Sequence, residues 1–70
     1  MDALEVVAAN IREARRISGL SQERLAELSE LHMTDVGRIE RGERDPGVRT
    51  LAKLAKGLGI PPGDLFEGIE

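Results

Sequence analysis

The side chains that could do chemistry here are mostly arginines. The chain carries eight Arg and two Lys against nine Glu and four Asp, with one His, three Ser and no Cys. Covalent catalysis needs a nucleophile held beside a base. One His, three Ser and no Gly-rich phosphate loop offer no such pair, so an enzyme is not expected. A structural zinc ion usually takes four N or S ligands, so neither a metal nor a cofactor is expected. His32 changes charge between about pH 5 and 8, and is read as incidental beside a helix start. What remains is anion and base-edge recognition. Arg24, Arg38, Arg41, Arg44 and Arg49 lie within residues 21–49, with Gln22 near the head of that stretch. A guanidinium forks onto a carboxylate, a phosphate or a guanine edge. The same stretch holds seven acids against those five Arg, leaving it at −2, and the whole chain at −3. Nucleic-acid-binding domains are usually basic, so any such binding should depend on charge placement, and non-specific affinity should be modest.

The elements that position these residues read as helices throughout. Seventy residues suit one domain, expected to span 1–70. Its core must come from nine Leu, seven Ala, five Ile and four Val, with Phe66 the only aromatic residue. Such a core supplies about 3–5 kcal/mol at most, so tidy helix packing or self-association must help. Leu4, Val7, Ala8, Ile11 and Ala14 make the apolar stripe of a helix at about 3–18, capped by Asp2 and stopped at Ser18-Gly19. Ser21 caps a two-turn helix at about 22–28, and a third runs from about 32 to 41 with Val36 and Ile39 inward and Gly42 at its end. Val48, Leu51, Leu54, Ala55 and Leu58 define a fourth, ended by Gly57 and Gly59. Pro61-Pro62 suits the first turn of a short fifth helix whose apolar face is Leu65 and Phe66. The longest mainly apolar run, Val6 to Ala9, is far short of a membrane span. Asp2 and Glu5 replace the basic start of a secretory leader. A cytoplasmic location is therefore expected.

Two short helices joined by a tight turn over 22–41 have helix-turn-helix spacing. The detail is more specific. The blocks Gly19-Leu20-Ser21-Gln22-Glu23-x-Leu25-Ala26-Glu27, Ile39-Glu40-Arg41-Gly42-Glu43-Arg44-x-Pro46 and Thr50-Leu51-x-Lys53-Leu54-Ala55-x-x-Leu58-Gly59-Ile60, closing on Leu65-Phe66, stand in register over about residues 7–66. This resembles the Cro/CI-type, lambda-repressor-like (XRE) DNA-binding domain. The resemblance implies an all-α, compact five-helix globule and a sequence-specific transcriptional regulator that binds double-stranded DNA as a homodimer on a palindromic operator. A weaker resemblance, over Leu31 to Arg44, is to the controller proteins of restriction–modification systems. It lacks the basic and aromatic residues often seen at positions 33 and 35.

The resemblance also assigns roles. Met33, Thr34 and Arg38 take the base-facing positions. Gln22, Arg41, Arg44 and Arg49 take the DNA backbone. Arg15 and Glu40 form a structural salt bridge that sets the angle of the recognition helix. Departures from the pattern fall at Glu30, where a left-handed Gly is usual, at His32, where Ser is the common cap, and at Asp35. As an anion on the reading helix, Asp35 should repel DNA, and a capping-box bond back to the His32 N–H would account for it. Gly37, a mid-helix glycine, costs about 1 kcal/mol against Ala. Leu58, Ile60, Phe66 and Ile69 are apolar candidates for the dimer surface, Phe66 fitting the core better. No small-molecule substrate and no membrane partner are expected. The alternative reading is a protein-interaction module, such as an antitoxin, anti-repressor or adaptor, that has lost DNA affinity.

Overall fold

Apolar residues at helical spacing build four α-helices and a closing 3-10 turn, as a computed structural model describes them for residues 2–70. In order these are α1 (Ala3–Ser18), α2 (Gln22–Leu28), α3 (Met33–Glu40), α4 (Gly47–Leu58) and the 3-10 turn Pro62–Phe66. No strand occurs among the described residues. The fold is all-α, as the periodicity predicts, but the last element is not the expected α-helix. The segment Pro62–Phe66 is only five residues long, little more than one α-turn, and it winds into the tighter 3-10 form that short pieces take.

Helix boundaries follow local chemistry. Ser21 accepts the Arg24 amide at 3.0 Å and starts α2. Gly19 and Gly59 close α1 and α4 in the left-handed conformation, at φ 72° and 71°. Asp2 occupies the position before α1, but its carboxylate makes no capping bond. The third helix is shorter than the expected 32–41, because His32 and Arg41 serve as its caps. Gly57 does not end α4, which runs on to Leu58. It is a close-approach glycine instead: a Cβ there would collide with Ser29 Oγ and lie 3.3 Å from Leu25 Cδ1.

One core gathers Val7 and Ile11 of α1, Leu25 and Ala26 of α2, Val36 and Ile39 of α3, four residues of α4, and Leu65. Leu65 is fully buried, whereas Phe66 is 47 % exposed, so the core expectation for Phe66 is corrected. A 3-10 turn spreads successive side chains about 120° apart, so Leu65 enters the core while Phe66 lines a shallow surface groove with Leu4 and Val7 of α1. The turn is tied to α1 by Asn10, whose amide donates to the Leu65 and Glu67 carbonyls, both at 2.9 Å.

Candidate nucleic-acid interface

The α2–α3 corner is held from behind by a buried carboxylate. Glu40, at the end of α3, is 2 % exposed. An isolated carboxylate there would be costly, and three donors satisfy it. Arg15 grips it in a fork, Nε to Oε2 at 2.7 Å and Nη2 to Oε1 at 3.1 Å. Gln22 Nε2 donates to Oε1 at 2.9 Å, and the Arg12 guanidinium donates to the Glu40 carbonyl. Arg15 also donates to the Leu20 carbonyl at 3.0 Å, joining the α1–α2 loop to the same centre. Three helices thus meet on one side chain. Arg12 was missed from the sequence. Its signal was there, since it stands one helical turn before Arg15 on the same face of α1.

The turn between α2 and α3 keeps the left-handed residue its geometry needs. Glu30 has φ 56°, the sole non-glycine positive φ among the described residues. The Leu31 amide then reaches back to the Ala26 carbonyl at 2.8 Å. α3 starts at His32, whose Nδ1 accepts the Thr34 amide at 3.3 Å. Imidazole therefore does the work of the usual Ser cap.

On the outer face, Met33 is 48 % exposed, and Thr34 and Arg38 are exposed. Arg38 and Arg49 have no ion-pair partner among the described residues. Gly37 lies beneath the Arg41 guanidinium: a Cβ at Gly37 would come within 3.2 Å of Arg41 Nη1 and 3.9 Å of Gln22 Oε1. Gln22, Gly37 and Arg41 therefore converge at one edge of the reading face. Glycine leaves room for the Arg41 guanidinium to come close to the helix, a role that its cost to helix propensity concealed.

Three of the four side chains expected at the DNA backbone already hold anionic partners. Gln22 is bonded to Glu40. Arg41 Nε donates to Glu43 at 2.6 Å, and Arg44 Nη1 donates to Asp35 at 2.5 Å. The hydrogen bond from Arg41, more than the nearby charges of Arg41 and Arg38, holds the Glu43 carboxyl below the usual carboxylate range and raises Arg41. Asp35 is thus explained by Arg44, not by the expected capping-box bond. Its carboxylate leans toward the loop after α3, and the amide that the first turn of α3 exposes at Thr34 is taken by His32.

The helix-turn-helix family model matches residues 11–65. The control protein C.SmaI of Serratia marcescens is 52 % identical over 58 residues, covering 83 % of this chain and 69 % of that one. An uncharacterised helix-turn-helix transcriptional regulator, y4dJ, of Sinorhizobium fredii is 38 % identical over 60 residues, covering 86 % and 78 %. Among solved structures, the restriction–modification controller protein C.AhdI of Aeromonas hydrophila superposes with a TM-score of 0.87 at 44 % identity, over 90 % of this chain and 96 % of that one.

Proposed function

The chain belongs to the helix-turn-helix family, and on that premise we propose that it is a sequence-specific transcriptional regulator acting as a homodimer on a palindromic operator, with α3 in the major groove. The observation that carries this reading is the convergence of Gln22 and Arg41 over Gly37 of α3, the helix on which Met33, Thr34 and Arg38 are exposed. In this reading Arg38 takes guanine O6 and N7 in a fork, Thr34 meets a base edge or a thymine methyl, and Met33 adds apolar contact. Gln22, Arg41, Arg44 and Arg49 hold phosphates, which sets the register of the helix in the groove. Arg15 and Glu40 fix the angle at which α3 is presented. The unit that does this is a single domain over 1–70, working in the cytoplasm at the nucleoid and without an enzymatic activity of its own.

Likeness to C.SmaI and C.AhdI supports a narrower reading, control of a restriction–modification system. The chain departs from that group's usual basic and aromatic residues at Met33 and Asp35, so its operator should differ at the bases beneath them.

Selection from a random-sequence duplex pool, read by gel shift over a range of salt, tests the proposal. An enriched palindrome with salt-sensitive binding is expected. Arg38→Ala should relax preference at one position, at about 1–3 kcal/mol of discrimination. Arg44→Ala should weaken every duplex and flatten the salt slope by about one unit. Binding that shows neither enrichment nor salt dependence would favour a protein-interaction module instead.

A further inference from the structure

Asp35 is the one acid on the reading helix that faces outward beside the groove-reading residues, and it holds Arg44 by an ion pair at 2.5 Å. Both partners are accessible, with side-chain exposures of 35 % and 51 %, so neither is locked in the core. The carboxylate presents Arg44 with what a phosphate would present: an anionic oxygen accepting from the guanidinium. Approach of DNA therefore requires an exchange. Arg44 must leave Asp35 for a backbone oxygen, and Asp35 is then left as an anion close to the phosphates. A carboxylate only accepts hydrogen bonds. In the major groove cytosine offers its exocyclic amino group as a donor from which a carboxylate can accept, whereas guanine and thymine offer only acceptors and adenine sets the acceptor N7 beside its amino group.

Resting on the DNA-binding reading above, we infer that Asp35 is a specificity-determining residue that acts by this exchange. On a duplex without cytosine beneath it, Asp35 keeps Arg44 from the backbone and repels the phosphates. On the right site it accepts from the cytosine amino group, and Arg44 is released to a phosphate. Much of the discrimination then comes from weakening wrong complexes. The acidic balance of residues 21–49 becomes part of the recognition.

Asp35→Ala, its isosteric companion Asp35→Asn, Arg44→Ala and the double variant Asp35→Ala/Arg44→Ala test this, with circular dichroism as the check on folding. Each is measured against a random-sequence duplex over a salt series and by selection from a random pool. Asp35→Ala should bind the random duplex roughly tenfold tighter, with a salt slope steeper by about one unit, because one more cation reaches the backbone. It should also lose a cytosine preference at one position. Asp35→Asn should gain random-duplex affinity in the same direction. In the double variant the gain should vanish. If the parent binds a selected operator but Asp35→Ala and Asp35→Asn leave random-duplex affinity and base preference unchanged, the inference is overturned and the regulator reading stands. If only the Asp35 variants bind DNA, Asp35 blocks binding without selecting a site, and both the inference and the regulator reading of the parent are overturned. If none of the chains binds any duplex, both are overturned.

Discussion

At the scale of single residues, the protein solves a charge problem twice in different ways. Glu40 is buried and multiply bonded, so it is structural. Asp35 and Glu43 are accessible and singly paired, so their arginines can change partners. The two classes should respond differently to substitution. Arg15→Ala strands a buried carboxylate with Gln22 as its remaining side-chain donor. Breaking a buried pair in this way costs about 3 kcal/mol or more. Glu40→Ala leaves Arg15, whose side chain is 24 % exposed and still reaches water, so the loss should be smaller, on the order of 2 kcal/mol. Urea melts that reverse this order would contradict the assignment of Glu40 as the buried member. The exposed pairs should instead be seen in titration. Glu43 titrates below the usual carboxylate range, chiefly through the hydrogen bond from Arg41, and Glu13 does so through Arg16. Their folded values are depressed, so both pairs are complete at neutral pH and are lost as pH falls through those values. Carboxyl NMR titration should find Glu43 moving up toward the ordinary range in Arg41→Ala, while Glu13 stays where it is. Exposed pairs of this kind contribute little to stability, and their removal should barely move the melting temperature.

At the scale of elements, two glycines inside helices have opposite reasons for being there. Gly37 of α3 faces the movable end of an exposed arginine, Arg41. Gly37→Ala should gain up to about 1 kcal/mol of helix propensity while pushing Arg41 off the helix, so stability should rise and DNA affinity fall. Gly57 of α4 faces Ser29 and its backbone nitrogen, the latter 3.3 Å from the position of an added Cβ. Gly57→Ala should overpack the α2–α4 contact and cost about 1–3 kcal/mol. The Ser29 hydroxyl is buried without a hydrogen-bond partner among the described residues. Ser29→Ala should therefore be tolerated, and should recover part of the Gly57→Ala loss. Thermal melts of the three single variants and the Ser29→Ala/Gly57→Ala pair decide this. Equal losses at Gly37 and Gly57 would mean that the two contacts had been misjudged.

At the scale of the molecule, the proposed palindromic operator calls for two copies. The chain measures 31 × 21 × 20 Å, and successive major grooves on one face of B-DNA recur about 34–36 Å apart. One chain presents one α3, so reading two half-sites takes a second chain. Phe66 and Ile69 remain 47 % and 39 % exposed beside Leu4 and Pro46 at a shallow groove, and Leu58 is buried. Leu58 thus belongs to the core, and Phe66 and Ile69 are the better placed of the four apolar residues for self-association. Sedimentation should show concentration-dependent dimers that Phe66→Glu weakens, with loss of operator binding but little loss of helix content. A Phe66→Glu chain that dimerises like its parent would move the interface elsewhere.

The repeating apolar spacing, the Ser21 cap and the glycines at 19, 42 and 59 determined the helices, because helix formation depends on residues a few positions apart. The in-register blocks around Gln22 and Glu40 pointed to a helix-turn-helix for the same reason. The sequence alone could not assign Asp35, Gly57 or Phe66. Asp35 had a plausible local partner at His32, and its actual partner, Arg44, comes after α3 has ended. Gly57 looked like a terminator until α2 was packed against it. Phe66 and Leu65 read as one apolar face until packing of the last turn against α1 and α4 buried Leu65 and left Phe66 at the surface. Each of these depends on residues brought together by the packing of different elements, and that packing is what the tertiary structure decided.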